Sequence, residues 1–78
     1  MSCREEILQV ARLLSRRRPD RTFTADDVLT AMEDRQTKFL ASTIWYHVTV
    51  VMCVNAVGRD AAKYKDLERV GRNRYRLL

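Results

Sequence analysis

The chain has 78 residues and a formal net charge of +5, from 15 Lys and Arg against 10 Asp and Glu. That length suits one small domain, and no apolar run approaches the roughly 20 residues that span a bilayer. Two cysteines and one histidine, widely spaced, are too few for a disulfide framework or a tetrahedral zinc site. We therefore expect a cytoplasmic binding module, nucleoid-associated in a prokaryote, with no cofactor, metal, membrane partner or small-molecule substrate.

The first predicted helix covers about residues 4–17. Its apolar residues follow the i, i+3, i+4, i+7 spacing of a half-buried helix, and two further leucines widen that face: Ile7, Val10, Ala11 and Leu14, then Leu8 and Leu13. Pro19 disfavours helix at Arg18, so the helix is expected to end near Arg17. The arginine run at 16–18 suits a helix C-terminus, and a solvated cationic end explains it without a ligand.

The second predicted helix covers about residues 24–34. Thr24 is the expected N-cap, with acidic residues following in the positively polarised first turn. Phe23 and Val28 occupy the two positions of a hydrophobic staple. A polar connection follows, and in it Lys38 is placed to bind a backbone phosphate.

A third helix is predicted over about residues 42–55, with Ser42 as N-cap or a start nearer Phe39. The segment is rich in β-branched residues, which permits a strand, but it lacks strict alternation and is long for one. On a helical wheel four residues share an arc of roughly 100°, and we call them the third-helix face: Ser42, Trp45, Tyr46 and Thr49. Thr43 lies beside this arc, and the aliphatic residues Ile44, Val48 and Val51 lie opposite, towards the expected core.

The C-terminal segment, about residues 66–78, is predicted to form a β-hairpin. Gly71 and Asn73 tolerate the positive φ of a tight turn. From residue 72 onward the residues alternate, with three arginines on one face and three other residues on the opposite face: Arg72, Arg74, Arg76 and Asn73, Tyr75, Leu77. This pattern indicates one face on the core and one basic face in solvent. Arg69 is expected to pair with Glu68 or Asp66.

Three helices followed by a hairpin resemble the winged helix-turn-helix fold, an α+β domain whose third helix recognises DNA and whose hairpin is the wing. The stretches STIWYHV (42–48) and LERVGRNRYRL (67–77) carry the resemblance. The second stretch looks like the wing of small prokaryotic modules, some of them attached to restriction-type nucleases. The resemblance implies double-stranded DNA as partner, with the third helix in the major groove and the wing on the flanking backbone or minor groove. A parent nuclease, a regulatory protein or a second copy of the chain stays open as a further partner.

The predicted DNA-binding residues are Lys38, Ser42, Thr43, Trp45, Tyr46, Thr49, Arg72, Asn73 and Arg74. A reader of ordinary bases is expected to present Arg, Asn or Gln for bidentate contacts. Trp45 and Tyr46 instead offer apolar surface and one donor each, which suits a thymine methyl or a modified base. The sequence offers no catalytic constellation, and we expect no enzymatic activity.

These assignments have alternatives. Trp45 can pack in the core, and the basic strand face can serve only to discourage edge-to-edge aggregation. The helix can also be a protein-interaction surface, in which Trp45, Tyr46 and Met52 form an exposed apolar patch. His47 is expected to be a partly buried imidazole with its hydrogen bonds satisfied.

Overall fold

A computed structural model describes all 78 residues, as an α+β arrangement of three helices and a three-stranded antiparallel sheet. No helix is long and apolar enough to cross a membrane. The elements in chain order are α1 (Cys3–Arg17), β1 (Thr22–Phe23), α2 (Ala25–Asp34), α3 (Ala41–Tyr46), a π-helical segment (His47–Val51) that continues α3, β2 (Leu67–Gly71) and β3 (Arg74–Leu77).

Helix α1 confirms the predicted first helix and begins one residue earlier, because Ser2 and Glu5 form a capping box. The Glu5 amide donates to the Ser2 hydroxyl at 3.1 Å, and the Ser2 amide donates to the Glu5 carboxylate at 3.4 Å. The four core positions expected from the spacing are all buried: Ile7, Val10, Ala11 and Leu14. Leu13 is 51 % exposed, so the expectation that it widens the buried face is wrong.

Helix α2 confirms the second prediction and its N-cap. The Asp27 amide donates to the Thr24 hydroxyl at 3.0 Å, and the Thr24 amide donates to the Asp27 carboxylate at 2.9 Å. Phe23 and Val28, the two staple positions, are both fully buried. Local sequence therefore determines where this helix starts and which face it buries.

Strand β1 was not predicted. It pairs with β3 through Thr22↔Arg76 and Phe23↔Tyr75, giving the sheet order β1-β3-β2. A segment of two residues is too short to show an alternating pattern, so it is recognised as a strand only by its pairing with β3, far along the chain.

The third helix differs from the prediction at both ends. Its N-cap is Leu40, which offers no side-chain hydrogen bond, so the expectation of a Ser42 cap is wrong. Regular α-helix stops at Tyr46, and the β-branched stretch that follows is π-helical as far as Val51, not helical to residue 55. β-Branched side chains crowd the preceding turn of an α-helix, which lowers the propensity of this stretch for regular α-helix.

Pairing with the hairpin ends the third helix early. The Val54 amide donates to the Leu67 carbonyl at 2.8 Å, and the Leu67 amide donates to the Met52 carbonyl at 2.9 Å. Cys53 therefore forms an isolated parallel bridge with Leu67. Residues 53–55 thus run beside β2 instead of continuing the helix.

The hairpin forms as predicted, with a difference at its turn. Arg72 and Asn73 make the turn, which we call the hairpin tip, and Asn73 has a φ of 55°. Gly71 has no positive φ, and the register shifts between Arg69 and Gly71 in a β-bulge. The expected two-faced alternation therefore begins at residue 74, because the two tip residues lie on neither strand.

The core lies between the helices and one face of the sheet. Its largest fully buried side chains come from every helix, from β1 and β2, and from the residues just after the π segment: Phe23, Ile7, Met32, Ile44, Met52, Leu67, Val10, Val28, Val48 and Cys53. Tyr75 brings β3 into the same cluster. The third helix and the base of the hairpin therefore pack against the same core.

Candidate nucleic-acid interface

The third-helix face is turned outward. Trp45 is 41 % exposed and Tyr46 is 43 % exposed, and Ser42 is also exposed. The alternative that places Trp45 in the core is therefore wrong. Part of Trp45 is therefore available to an external ligand, whereas Ile44 and Val48 on the opposite side are buried as predicted.

Two side-chain hydrogen bonds to helix carbonyls lie at the transition from α-helix to π-helix beneath this face. The Thr49 hydroxyl donates to the Trp45 carbonyl at 2.8 Å, and Nδ1 of His47 donates to the Thr43 carbonyl at 2.8 Å. His47 is thus half-buried with a hydrogen-bond partner, as expected. Thr49 has used its hydroxyl proton, so its oxygen can still accept a hydrogen bond from a ligand.

Tyr46 already has a partner. Its hydroxyl donates to the Asp60 carboxylate at 2.7 Å, across to the loop between the π segment and β2. This hydrogen bond raises the pKa of Tyr46 above its usual value. The donor expected to contact DNA is therefore engaged, and Asp60 adds a negative charge beside the third-helix face. No local pattern predicts this contact, because it joins residues 14 positions apart in the chain.

Lys38 lies just before α3, where the sequence places it, and it is exposed. Its ammonium group lies 5.4 Å from the centre of the Phe39 ring, and it makes no ion pair. No side chain caps α3, so the amides of its first turn have no side-chain acceptor. A lysine and uncapped amides at one helix end suit an anionic group.

At the hairpin tip, the side chains of Arg72 and Asn73 are exposed and make no hydrogen bond or ion pair in the structure. Arg74 is half-buried, and its Nη1 lies 3.4 Å from the Thr22 hydroxyl, to which it donates. Of the three residues predicted here to bind DNA, Arg72 and Asn73 therefore have no internal partner, whereas Arg74 is hydrogen-bonded to Thr22 on the neighbouring strand.

The remaining hairpin arginines have internal roles. Arg76 pairs with Glu68 across the strands at 2.7 Å, and Nε of Arg69 donates to the Gly71 carbonyl at 3.3 Å. Asp66 is bound by Arg4 at 2.7 Å, and the Arg4 guanidinium stacks 4.3 Å from the centre of the Tyr64 ring. The expected pairing of Arg69 with Glu68 or Asp66 is therefore wrong, because other arginines bind both acids.

Asn55 holds the hairpin to the end of the third helix. Its side-chain amide donates to the Arg69 carbonyl at 2.9 Å and its carbonyl accepts from the Arg69 amide at 3.0 Å. This pair of bonds extends the ladder along the outer edge of β2. The sequence places Asn55 in the predicted third helix and does not predict its bonds to Arg69, since nothing local to residue 55 indicates a strand partner.

The predicted residues form two surfaces that no hydrogen bond or ion pair joins. One is the third-helix face with Thr43 and Lys38, and the other is the hairpin tip with Arg74. Both are supported by the same core through Asn55 and the Cys53–Leu67 bridge. No group of three or more His, Cys, Asp or Glu residues is arranged to hold a metal ion.

Comparison with known proteins gives one match. No curated protein and no solved structure resembles the chain at a significant level. Residues 3–77 match a family described as a domain of unknown function, DUF7669. This span runs from the first residue of α1 to the last of β3 and so includes every helix and strand. The chain therefore belongs to the DUF7669 family.

Proposed function

We propose that this domain binds double-stranded DNA as a winged helix-turn-helix module. The third-helix face enters the major groove, and the hairpin tip acts as a wing on the flanking backbone or in the minor groove. The element order α1-β1-α2-α3-β2-β3 is compatible with that fold. The observation that carries the proposal is Arg72, an unpaired arginine on an exposed two-residue turn whose strands are anchored to the core.

The charge distribution supports a polyanionic partner. The net charge is +5, and the four ion pairs engage only Arg4, Arg18, Arg35 and Arg76. The unpaired cations are free to displace counterions from a phosphate backbone. Neutralising about four to six phosphates corresponds to a salt slope of roughly −4 to −5.

The third-helix face supports reading by shape and apolar contact. The partly exposed Trp45 offers apolar surface to a thymine methyl or to the added methyl of a modified base. With its proton donated to Asp60, Tyr46 can accept a hydrogen bond from an exocyclic amino group of adenine or cytosine. Such a module acts as the targeting domain of a restriction-type nuclease or as a small transcription regulator.

Fluorescence anisotropy with short duplexes, unmodified and methylated, tests the proposal. At about 50 mM salt we expect micromolar affinity, and raising salt to about 200 mM weakens it by two to three powers of ten. Arg72→Ala lowers affinity for every duplex, whereas Trp45→Ala changes the discrimination between duplexes. Arg17→Ala is the matched control, since Arg17 lies in the α1–α2 groove with Asp27 and Asp34. Absence of duplex binding by the folded domain at low salt overturns the proposal.

A protein-interaction surface is the second candidate. Leu40, the N-cap of α3, is 71 % exposed, so the third helix carries an exposed apolar side chain in addition to Trp45 and Tyr46. Met52, expected in the same patch, is fully buried, so that part of the expectation is wrong. Under this alternative, self-association or partner binding persists at high salt and is lost in Leu40→Ala.

A further inference from the structure

We propose that a second anion site, distinct from the DNA-binding surface, lies between α1 and the base of the sheet and binds a phosphate-bearing ligand. The site is an open cleft of about 560 Å³ that four arginines line, and we call it the arginine cleft: Arg12, Arg16, Arg18 and Arg21. No acidic residue lines it. The inference does not depend on the domain binding DNA.

The fold brings the four arginines together from two segments. Arg12 and Arg16 are four residues apart on α1 and so share one face of the helix. Arg18 is the C-cap of that helix in extended conformation, and the chain then reverses so that the Arg21 amide donates to the Arg18 carbonyl at 3.0 Å. Arg21 has a φ of 60°, a left-handed conformation that is unfavourable for non-glycine residues. The sequence run at 16–18 did not reveal this convergence.

The charges in the cleft are poorly compensated. Arg12, Arg16 and Arg21 make no ion pair, and Arg18 lies 3.5 Å from the Asp27 carboxylate. Asp20 lies in an adjoining groove, where its carboxylate accepts from the Thr22 amide at 3.1 Å and from the Thr22 hydroxyl at 3.0 Å. The neighbouring acids are thus engaged by α2 and β1, and the cleft keeps an excess of positive charge.

A solvated helix end does not account for this arrangement. The helix dipole favours cations in the last turn of α1, which explains Arg16 and Arg17. It does not explain Arg21, which lies in the loop, or Arg12, which lies before the last turn. Arg17 points the other way, into the α1–α2 groove with Asp27 and Asp34. On the cleft side, Arg12 and Arg16 lie without a paired acid, whereas Arg18 approaches Asp27 and Arg21 shares the adjoining groove with Asp20.

Phosphate is the anion that this chemistry fits. Guanidinium groups stay charged at all physiological pH values and bind phosphoryl oxygens in bidentate geometry. Like charges around a concave surface focus the field and raise the local anion concentration. The cleft volume lies within the range of about 300–1,000 Å³ that small-ligand sites occupy. The phosphate belongs to a free polyphosphate such as that of a nucleotide, or to a nucleic-acid backbone.

The cleft and the hairpin tip do not share one phosphate. Leu77 also lines the cleft, and Arg21 precedes β1 at the same end of the sheet, since Thr22 pairs with Arg76. Strand β3 runs from Arg74 to Leu77, so at about 3.3 Å per residue it separates this end of the sheet from the tip by roughly 10 Å. A ligand in the cleft is therefore a second anion.

Isothermal titration of the 78-residue chain with inorganic triphosphate tests the site. We expect one bound triphosphate per chain, and Arg12→Gln/Arg16→Gln to weaken binding by about tenfold or more. Arg59→Gln/Lys63→Gln is the matched control, because it removes the same charge from exposed loop residues outside the cleft. Both pairs are exposed, and circular dichroism melts establish that each variant is folded.

A second titration distinguishes the two sources of phosphate. A single-stranded oligonucleotide of about 12 nucleotides is titrated into Arg72→Ala, with and without the cleft substitutions. Loss of oligonucleotide binding on cleft substitution assigns the cleft to a nucleic-acid backbone, and binding of triphosphate alone assigns it to a free polyphosphate. Absence of both, or equal weakening in the cleft and control variants, overturns the proposal. That result leaves duplex binding through Arg72 unaffected, so the two proposals fail separately.

Discussion

The base and the tip of the β2–β3 hairpin differ in how their side chains are used. At the base, Leu67 is fully buried, and Glu68 pairs with Arg76 across the strands. At the tip, the side chains of Arg72 and Asn73 are exposed and make no internal hydrogen bond or ion pair. The base fixes the hairpin to the core, and the tip remains available to an external ligand.

This difference shows that a run of arginines in the sequence does not reveal which of them have internal hydrogen-bond partners in the fold. Four arginines occur within residues 69–76, and two of them, Arg72 and Arg74, are among the DNA-binding residues predicted from the sequence. In the structure Arg69 donates to the Gly71 carbonyl, Arg74 to Thr22 and Arg76 to Glu68. Arg76 is paired with a carboxylate that competes with phosphate. Arg69 and Arg74 each have part of the guanidinium oriented by an internal hydrogen bond, whereas Arg72 has no internal partner.

The largest effect is expected on stability at the base. Leu67→Ala removes a fully buried side chain of the core, and it should lower the free energy of unfolding by about 2–5 kcal/mol. Val70→Ala, at a 45 % exposed position near the tip, should change it by no more than about 0.5 kcal/mol. Urea denaturation measures both values. Equal losses for the two variants contradict the distinction between base and tip.

The next effect is on duplex affinity. Arg72→Ala should weaken binding by about tenfold and reduce the magnitude of the salt slope by about 1, because one phosphate contact is lost. Arg76→Ala removes the same charge from the same hairpin and should weaken binding by no more than about threefold, since Arg76 is bound to Glu68. Anisotropy titrations at several salt concentrations give both values. A larger loss for Arg76→Ala than for Arg72→Ala speaks against binding at the tip.

Two asparagines allow the same comparison on a smaller scale. Asn55→Ala removes both hydrogen bonds to the Arg69 backbone and should cost about 1 kcal/mol of stability, because water replaces exposed bonds in part. Asn73→Gly should leave stability unchanged or raise it slightly, since glycine adopts the φ of 55° without strain. Thermal melts measure the order. A larger loss of stability in Asn73→Gly than in Asn55→Ala would contradict this order.

The smallest effect concerns the pH dependence of the third-helix face, where Tyr46 is hydrogen-bonded to Asp60 and the Trp45 side chain has no hydrogen-bond partner. The hydrogen bond to Asp60 raises the pKa of Tyr46 in the folded state above its unfolded value of about 10. The stability from this bond is therefore complete below that value and is lost as pH rises through the folded pKa. Comparing tyrosinate absorbance titrations of the wild type and Tyr46→Phe isolates the shift. Asp60→Asn should lower this pKa, and an unchanged titration shows that the bond is absent in solution.

The sequence predicts best where structure is decided locally. The boundaries of α1 and α2 follow from apolar spacing and from caps within three residues, as with Thr24 and Asp27. Strand β1 and the early end of the third helix depend on Arg76 and Leu67, which lie far along the chain. Propensity carries no information on such partners, and the β-branched residues 48–51 made the third helix ambiguous from the start.

The same limit applies to the candidate site. The exposed Trp45 and Arg72 were identified because each lies on a face or turn that local pattern defines. The hydrogen bond from Tyr46 to Asp60 was not predicted, because only the folded loop brings that acid to the helix. The arginine cleft also required the chain reversal after α1, which places Arg21 beside residues of the helix.

Mapping the contact by nuclear magnetic resonance tests most directly whether the third-helix face and the hairpin tip form the DNA-binding surface. A short duplex is titrated into the isotopically labelled domain while the backbone amide shifts are followed. We expect the largest changes at residues 42–46 and 72–74, with small changes at the hairpin base and in the α1–α2 groove. Changes that concentrate on the α1–α2 groove, and leave Trp45 and Arg72 unaffected, would contradict that assignment.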